Sequence, residues 1–76
     1  MIVDPDYRRY RIEVKAIAEG DRWNAEVRIR QHAVNAKPYV ERVSCYKLTA
    51  AHAEQAGARW AQRWIDLYAA EPGDSR

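Results

Sequence analysis

The chain has 76 residues, a length that suits one domain with a small core. Its single cysteine excludes an internal disulfide framework, and without a long apolar run or a secretion signal we expect a cytoplasmic protein that does not enter the membrane. The net charge is only +2, yet residues 8–47 hold ten basic and five acidic side chains, so we expect the positive charge on the elements that this segment forms.

The first predicted strand follows a short lead-in. Residues 1–6 carry two aspartates around a proline, which is typical of loose chain, and we expect a flexible lead-in there. From Tyr7 to Ala18, apolar and polar residues alternate as in a strand with one buried face. Residues 7–70 are expected to form the single domain, and residues 71–76 a flexible tail.

A β-hairpin with its turn at Gly20-Asp21 is predicted by side-chain pairing on both faces. Glycine at the first central position is typical of a type II′ turn, and the second strand would run from Trp23 to Arg30. In this register apolar residues face apolar ones and opposite charges face each other. The pairs are Ile12 with Ile29, Val14 with Val27, Ala16 with Ala25, Ala18 with Trp23, Glu13 with Arg28, Lys15 with Glu26 and Glu19 with Arg22.

The open end of this hairpin breaks the pattern. Arg11 would lie opposite Arg30, and like charges directly opposite each other cost stability. One step further out, Arg9 would lie opposite His32. Because nothing in the predicted fold needs the two facing arginines, we take this end as the best pointer to function.

A third strand is predicted from Tyr39 to Lys47, after a connection over Gln31–Pro38. Small and branched side chains suit the covered face of a sheet, so we expect Val43 and Cys45 to point inward. Arg42 and Tyr46 then lie on the uncovered face.

A helix is predicted from Ala50 to Ala69, with Thr49 as its N-cap. Helical periodicity places an apolar stripe on one side, consisting of Ala53, Ala56, Gly57, Trp60, Trp64, Leu67 and Tyr68. We therefore predict an α+β fold, a two-layer βββα domain whose three-stranded antiparallel sheet is covered on one face by the C-terminal helix. Trp23 would meet the two helix tryptophans between the layers, and Gly57 would let the helix approach the sheet closely.

No pattern in the chain indicates catalysis. His32 and His52 lie twenty residues apart without cysteine or carboxylate at metal-ligand spacing, and the glycines are too scattered to cradle a phosphate. We therefore expect no enzyme, no cofactor and no metal. A tryptophan-lined pocket in an accessory or ligand-binding subunit is a further hypothesis, although core packing is the simpler role for these side chains.

The uncovered face of the sheet is the candidate binding surface. Its residues are Arg9, Arg11, Arg30, His32, Arg42 and Tyr46. Arginines with an aromatic side chain suit nucleic acid, while a solvated charged face is the plainer interpretation. Exposed strand edges also allow a homodimer. The leading hypothesis is a non-catalytic bacterial interaction module that acts through its open sheet face or a strand edge, and the alternative is a nucleic-acid-binding domain.

Three family resemblances accompany this interpretation. The order βββα resembles the later part of a double-stranded-RNA-binding domain. The hairpin segment Gly20-Asp21-Arg22-Trp23-Asn24-Ala25-Glu26-Val27 and the helix residues Thr49, Ala53 and Ala56 resemble small HicB-like antitoxin domains. The segments Lys47-Leu48-Thr49-Ala50-Ala51, Gly57-Ala58-Arg59-Trp60-Ala61 and Trp64-Ile65-Asp66 resemble short proteobacterial βββα proteins, which implies no activity.

Overall fold

One helical segment packs on an antiparallel sheet, so the chain is an α+β protein. The structure is a computed structural model that describes residues 1–32 and 37–69. Its elements are β1 (Ile2–Tyr7), β2 (Tyr10–Glu19), β3 (Arg22–Gln31), β4 (Tyr39–Lys47), α1 (Ala50–Trp64) and a π-helix (Ile65–Ala69). The strands lie in the sheet in chain order, so each pairs with its neighbours in sequence. The tail predicted at 71–76 and the middle of the predicted connection lie outside the described residues.

The sheet has four strands, so the predicted number of three is wrong. The segment expected to be a lead-in forms most of β1 and pairs antiparallel with β2, with Ile2 opposite Val14 and Asp4 opposite Ile12. Ile2 packs against the core, which gives this strand an apolar anchor. The predicted first strand is therefore divided, since Tyr7 ends β1 and β2 begins at Tyr10.

The predicted hairpin register is confirmed along its whole length. Ile12 lies opposite Ile29, Val14 opposite Val27, Ala16 opposite Ala25, Ala18 opposite Trp23, Glu13 opposite Arg28, Lys15 opposite Glu26 and Glu19 opposite Arg22. Gly20 has a φ of 64°, in the left-handed region that a type II′ turn requires at its first central position. Arg11 lies opposite Arg30, as predicted.

β4 has the predicted bounds, and the predicted facing is confirmed for Val43, Cys45 and Arg42. Val43 packs against the core and Cys45 is half-buried, whereas Arg42 is exposed. The register with β3 shifts by two residues between the pairs Ala25–Val43 and Trp23–Lys47, so β4 bulges there.

A buried asparagine stabilises this bulge. Asn24 is only 2% exposed, and its Oδ1 accepts a hydrogen bond of 2.9 Å from the backbone N–H of Tyr46. The shift in register leaves this N–H outside the regular ladder, and the side-chain amide satisfies it. Tyr46 itself has a φ of 49° and is 54% exposed.

α1 begins with the predicted N-cap, because Thr49 Oγ1 accepts a hydrogen bond of 3.1 Å from the N–H of His52. Its close approach to the sheet depends on Gly57. A Cβ atom at that position would lie 2.7 Å from Val14 Cγ1 and 2.8 Å from Ala25 Cβ. The helix is not α-helical to Ala69 as predicted, since the π-helix replaces its last turn.

The core between the layers is aliphatic rather than built on tryptophan. The buried helix residues are Ala53, Gly57, Ala61 and Ile65. Ala61 and Ile65 form one core cluster with Ile12, Val14, Ala25, Val27 and Ile29 of the sheet, and Gly57 lies against Val14, Ala25 and Val27. Trp60 and Trp64 lie partly buried at the rim, and Trp23 is outside the described core cluster. The predicted stripe is right at Ala53 and Gly57, which are buried, and Trp60 and Trp64 pack against the core cluster. It omits Ala61 and Ile65, which are fully buried. Leu67, placed on that stripe, is 61% exposed.

Candidate binding surface

The sheet face turned away from α1, called the open face below, carries charged side chains in regular rows. One row runs Val3, Glu13, Arg28, Val40 across the four strands, and the next runs Lys15, Glu26, Arg42 across β2, β3 and β4. In the other direction the pair Arg11–Arg30 follows, and then Arg9 with His32. The N–H of His32 donates to the carbonyl oxygen of Arg9 over 3.0 Å, which continues the pairing past the end of the strands.

Four of the six predicted site residues therefore share one end of the open face. We call this group, Arg9, Arg11, Arg30 and His32, the basic end. The other two lie elsewhere. Arg42 is in the row of Glu26, four residues along β3 from Arg30 and so about 13 Å away. Tyr46 belongs to the bulge opposite Asn24, at about 20 Å by the same spacing.

The balance of charges changes along the open face, because its two middle rows hold Glu13 and Glu26 among their cations whereas the basic end holds three arginines. Lys15 Nζ lies 3.6 Å from Glu26 Oε1. Arg11 Nε donates to Glu13 Oε2 over 2.8 Å, so the like-charge pair is relieved along the strand rather than across it. Among the described residues, no ion-pair partner lies within 4.0 Å of the Arg30 guanidinium.

Asp6 lies beside Arg9 and His32, which form the outer row of the basic end. Its Oδ1 accepts a hydrogen bond of 3.2 Å from the backbone N–H of Arg9 and lies 3.9 Å from Nδ1 of His32. One carboxylate thus bonds the backbone of Arg9 and lies beside the ring of His32. The sequence placed Asp6 in a flexible lead-in, and this role was not predicted.

A second cluster that the sequence did not indicate joins the β1–β2 turn to the π-helix. The hydroxyl of Tyr7 donates to Asp66 Oδ1 at 3.0 Å, and Arg8 Nη1 donates to the same oxygen at 2.8 Å. Burial, followed by the hydrogen bond to the Asp66 carboxylate, raises the pKa of Tyr7 above its ordinary value. The residues lie more than fifty positions apart in sequence, so no local pattern could have indicated the contact.

The tryptophans do not line one common ligand-sized cavity of the predicted kind. Trp60 lines an open groove of about 400 Å³ together with Tyr7, Arg63 and Asp66, and this volume lies within the range of about 300–1,000 Å³ of typical ligand pockets. Trp60 and Trp64 line a second, smaller depression of about 210 Å³ with Arg63 and Leu67. Trp64 stacks on Tyr39 with ring centroids 4.7 Å apart and an interplanar angle of 16°. Trp23, at the other end of the sheet, does not line this depression.

Three further points from the sequence concern metal ligands, the single cysteine and membrane-spanning segments. Among residues 1–32 and 37–69, no three His, Cys, Asp or Glu side chains are grouped to hold a metal ion. Cys45 donates from Sγ to the carbonyl oxygen of Trp23 at 3.6 Å. In the same part of the chain, none of the helices has the length and apolar character needed to span a bilayer.

No protein-family model, curated protein or solved structure matches this chain. The three resemblances named from the sequence therefore stay predictions, and function has to be argued from the surface itself.

Proposed function

We propose that the protein is a small non-catalytic interaction module that binds an anionic partner at the basic end of its open face. The observation that carries this proposal is the pair of arginines at opposing positions, Arg11 and Arg30. Like charges opposite each other weaken a hairpin, and every charge pair closer to the turn in this hairpin is of opposite sign. A bound anion would turn this repulsion into a favourable arrangement of two guanidinium donors.

The strand edges are weaker candidates than the open face for the surface that contacts a partner. β1 contains Pro5, which has no N–H to offer a new strand, and its pairing with β2 is irregular between Asp4 and Tyr7. β4 bulges between Val43 and Lys47. Both devices are ways in which proteins blunt an edge, so the open face is the better candidate.

An NMR titration of the ¹⁵N-labelled chain tests the proposal. The probes are a poly-glutamate peptide, a heparin fragment and a short DNA duplex, each at about 20 mM and about 150 mM salt. We expect at least one probe to shift the amides of Arg11, Arg30 and His32, with smaller shifts at the higher salt concentration.

The matched variants are Arg11→Gln with Arg30→Gln, and Arg59→Gln with Arg63→Gln on the exposed side of α1. Both doubles remove two positive charges, so only the location of the charge differs. The first should abolish the shifts and the second should leave them. The proposal would be overturned if none of the three probes shifted these amides at low salt, or if the shifts were confined to α1.

A further inference from the structure

The β1–β2 turn holds two arginines in a backbone conformation that arginine disfavours. Arg8 has a φ of 51° and Arg9 a φ of 72°, and they are the two central residues between the paired Tyr7 and Tyr10. Two positive φ angles in a two-residue hairpin define a type I′ turn, for which Asn-Gly is the preferred sequence. A side chain carries a steric cost in this region, so a compensating role is expected for each arginine.

Arg8 has such a role within the fold. Its guanidinium donates to Asp66 and so ties the turn to the π-helix. The Arg9 side chain has no corresponding contact, because the described residues provide no hydrogen-bond or ion-pair partner for its guanidinium. Only its backbone is engaged, through Asp6 and His32. The strain at Arg9 is therefore not offset by any side-chain hydrogen bond or ion pair that the structure describes.

The surroundings of Arg9 indicate the chemistry of what it binds. Val3 and Val40 are the exposed large hydrophobic side chains of the open-face rows. They lie outside the basic end, in the row of Glu13 and Arg28, two residues along the strands from the Arg11–Arg30 pair. Tyr46 is about 20 Å along the sheet. Arginine also anchors protein partners, but it does so alongside Trp and Tyr in well-packed, desolvated pockets, and single-stranded nucleic acids need aromatic platforms for their bases. The described part of the basic end offers neither, and it offers guanidinium groups on a flat surface.

We propose that the basic end binds the phosphate backbone of a double-stranded nucleic acid, with Arg9 as the anchoring residue. This inference rests on the proposed function and names its partner. Three guanidinium contacts, from Arg9, Arg11 and Arg30, correspond to a slope of about −2.7 for the logarithm of the association constant against the logarithm of salt concentration. Binding would be independent of sequence, because phosphate contacts carry no base information.

Two measurements test the inference. The first is fluorescence anisotropy with a labelled mixed-sequence DNA duplex over a series of salt concentrations, and the second is thermal unfolding of the protein. Glycine relaxes at positive φ, so Arg9→Gly should raise the melting temperature while it weakens binding. Loss of one phosphate contact should cost about tenfold in affinity at about 50 mM salt and make the slope shallower by about one. Opposite effects of one substitution on stability and on binding are what a purely structural role would not produce.

Two variants complete the design. Arg9→Asn removes the charge but tolerates the left-handed conformation, so it should bind as weakly as Arg9→Gly. Arg59→Ala, on the exposed side of α1, removes the same charge and should leave affinity within about twofold. Full affinity in Arg9→Gly, or an equal loss in Arg59→Ala, overturns the role of Arg9.

Competition separates this inference from the proposed function. A duplex RNA should compete with the labelled DNA, whereas poly-glutamate and a single strand of equal length should compete at least tenfold less well. Tighter binding of the single strand or of poly-glutamate, or no duplex binding at low salt, overturns the inference. If poly-glutamate or heparin still shifts the basic end in the NMR titration, the interaction module survives and only its partner changes.

Discussion

Gly57 is the residue at which a single methyl group should be most costly. In Gly57→Ala the new Cβ would lie within 3 Å of Val14 Cγ1 and Ala25 Cβ, both in the packed core. Overpacking of this kind costs about 1–3 kcal/mol, and the higher helix propensity of alanine returns up to about 1 kcal/mol. We therefore expect the free energy of unfolding to fall by about 1–2 kcal/mol in urea denaturation.

The propensity gain can be measured in the same helix. Gln55 is exposed on α1, so the difference between Gln55→Gly and Gln55→Ala reports the intrinsic preference alone. Subtracting it from the effect of Gly57→Ala isolates the contact with the sheet. If Gly57→Ala were as stable as the wild type after this correction, the helix would not lie as close to the sheet as described.

The two facing arginines differ in what a charge reversal would do. Register alone makes Arg11→Glu and Arg30→Glu equivalent, since each creates an opposite-charge pair. However, Arg11 already contacts Glu13, so Arg11→Glu exchanges that ion pair for a carboxylate on the same face of the strand. Arg30→Glu keeps the ion pair and should stabilise the hairpin by a few tenths of a kcal/mol, roughly, whereas Arg11→Glu should have almost no net effect.

Chemical denaturation of both variants at low salt measures this difference. High salt should reduce it, because the groups are exposed. Lys15→Gln, which removes the Lys15–Glu26 ion pair of the same hairpin, is a control for the loss of a favourable cross-strand pair. A larger stabilisation from Arg11→Glu than from Arg30→Glu would contradict the described ion pair.

At the scale of elements, the hairpin β2–β3 could be predicted and β1 could not. The hairpin is local, and its partners report on each other on both faces through size and charge. β1 has no clear alternating pattern, because Pro5 interrupts it and the residues that pack against the core, Ile2 and Tyr7, lie at its two ends. The helix stripe was predicted in part, since Ala53 and Gly57 are buried as expected and Gly57 lies against the sheet. Ala61 and Ile65 were missed, because which positions are buried depends on how the helix lies on the sheet.

Deletion of residues 1–6 distinguishes a strand from a lead-in. A flexible lead-in would be removed without loss, whereas removal of β1 exposes the edge of β2 and withdraws Ile2 from the core. We expect a loss of about 2 kcal/mol in the free energy of unfolding, comparable to the burial of one aliphatic side chain. Ile2→Thr keeps the branched shape and should show about half of this effect; unchanged stability in both variants would contradict the strand.

The link between the β1–β2 turn and the π-helix predicts a pH dependence. The pKa of Tyr7 is raised, mainly by burial and then by its hydrogen bond to Asp66, so the folded state retains the phenolic proton longer than the unfolded state does. The stability that Tyr7 contributes is complete below the unfolded pKa of 10.0 and is lost as the pH rises through the higher folded pKa. Tyr7→Phe should therefore be less stable than the wild type near neutral pH, and the difference should shrink above pH 10.0.

Urea denaturation of both proteins on either side of that pH provides the measurement. The pKa of Tyr39 is also raised, first by its hydrogen bond to Glu41, but Tyr39 is present in both proteins and its effect cancels. Asp66→Asn should weaken the pH dependence in the same direction as Tyr7→Phe, because it removes the carboxylate that accepts the hydrogen bond of the Tyr7 hydroxyl. A stability difference that is constant across the pH range would contradict a coupling between Tyr7 and Asp66.

In the molecule as a whole, the apolar and the charged side chains of the sheet lie on opposite faces. The helix face contributes the buried aliphatic residues, and the open face carries the arginines. The sequence predicted this separation because the alternation along β2 and β3 is regular. It could not predict that Arg42 and Tyr46 lie away from the basic end, since that depends on how β4 is placed against β3 and on its bulge.

A homodimer through a strand edge stays a prediction at the scale of the whole molecule. The better edge for it is the part of β4 that precedes the bulge, from Tyr39 to Val43, because the edge of β1 is interrupted by Pro5. Antiparallel self-pairing with matched faces must centre on a single residue. Centring on Glu41 or on Arg42 places like charges opposite each other, which is unfavourable. Centring on Val40 places this exposed valine against its copy and Tyr39 opposite Glu41 of the second chain, the same pair of groups that hydrogen-bond at 2.8 Å within one chain.

We therefore expect self-association to centre on Val40 and to be lost in Val40→Lys, because a lysine on an edge opposes pairing. Sedimentation equilibrium of the wild type, of Val40→Lys and of Val3→Lys, the matched change on the β1 edge, measures it. Val3→Lys should associate as the wild type does, because β1 is already blunted by Pro5. A wild-type chain that stays monomeric at high concentration contradicts edge pairing, and equal losses in both lysine variants would show that net charge, rather than the β4 edge, governs association.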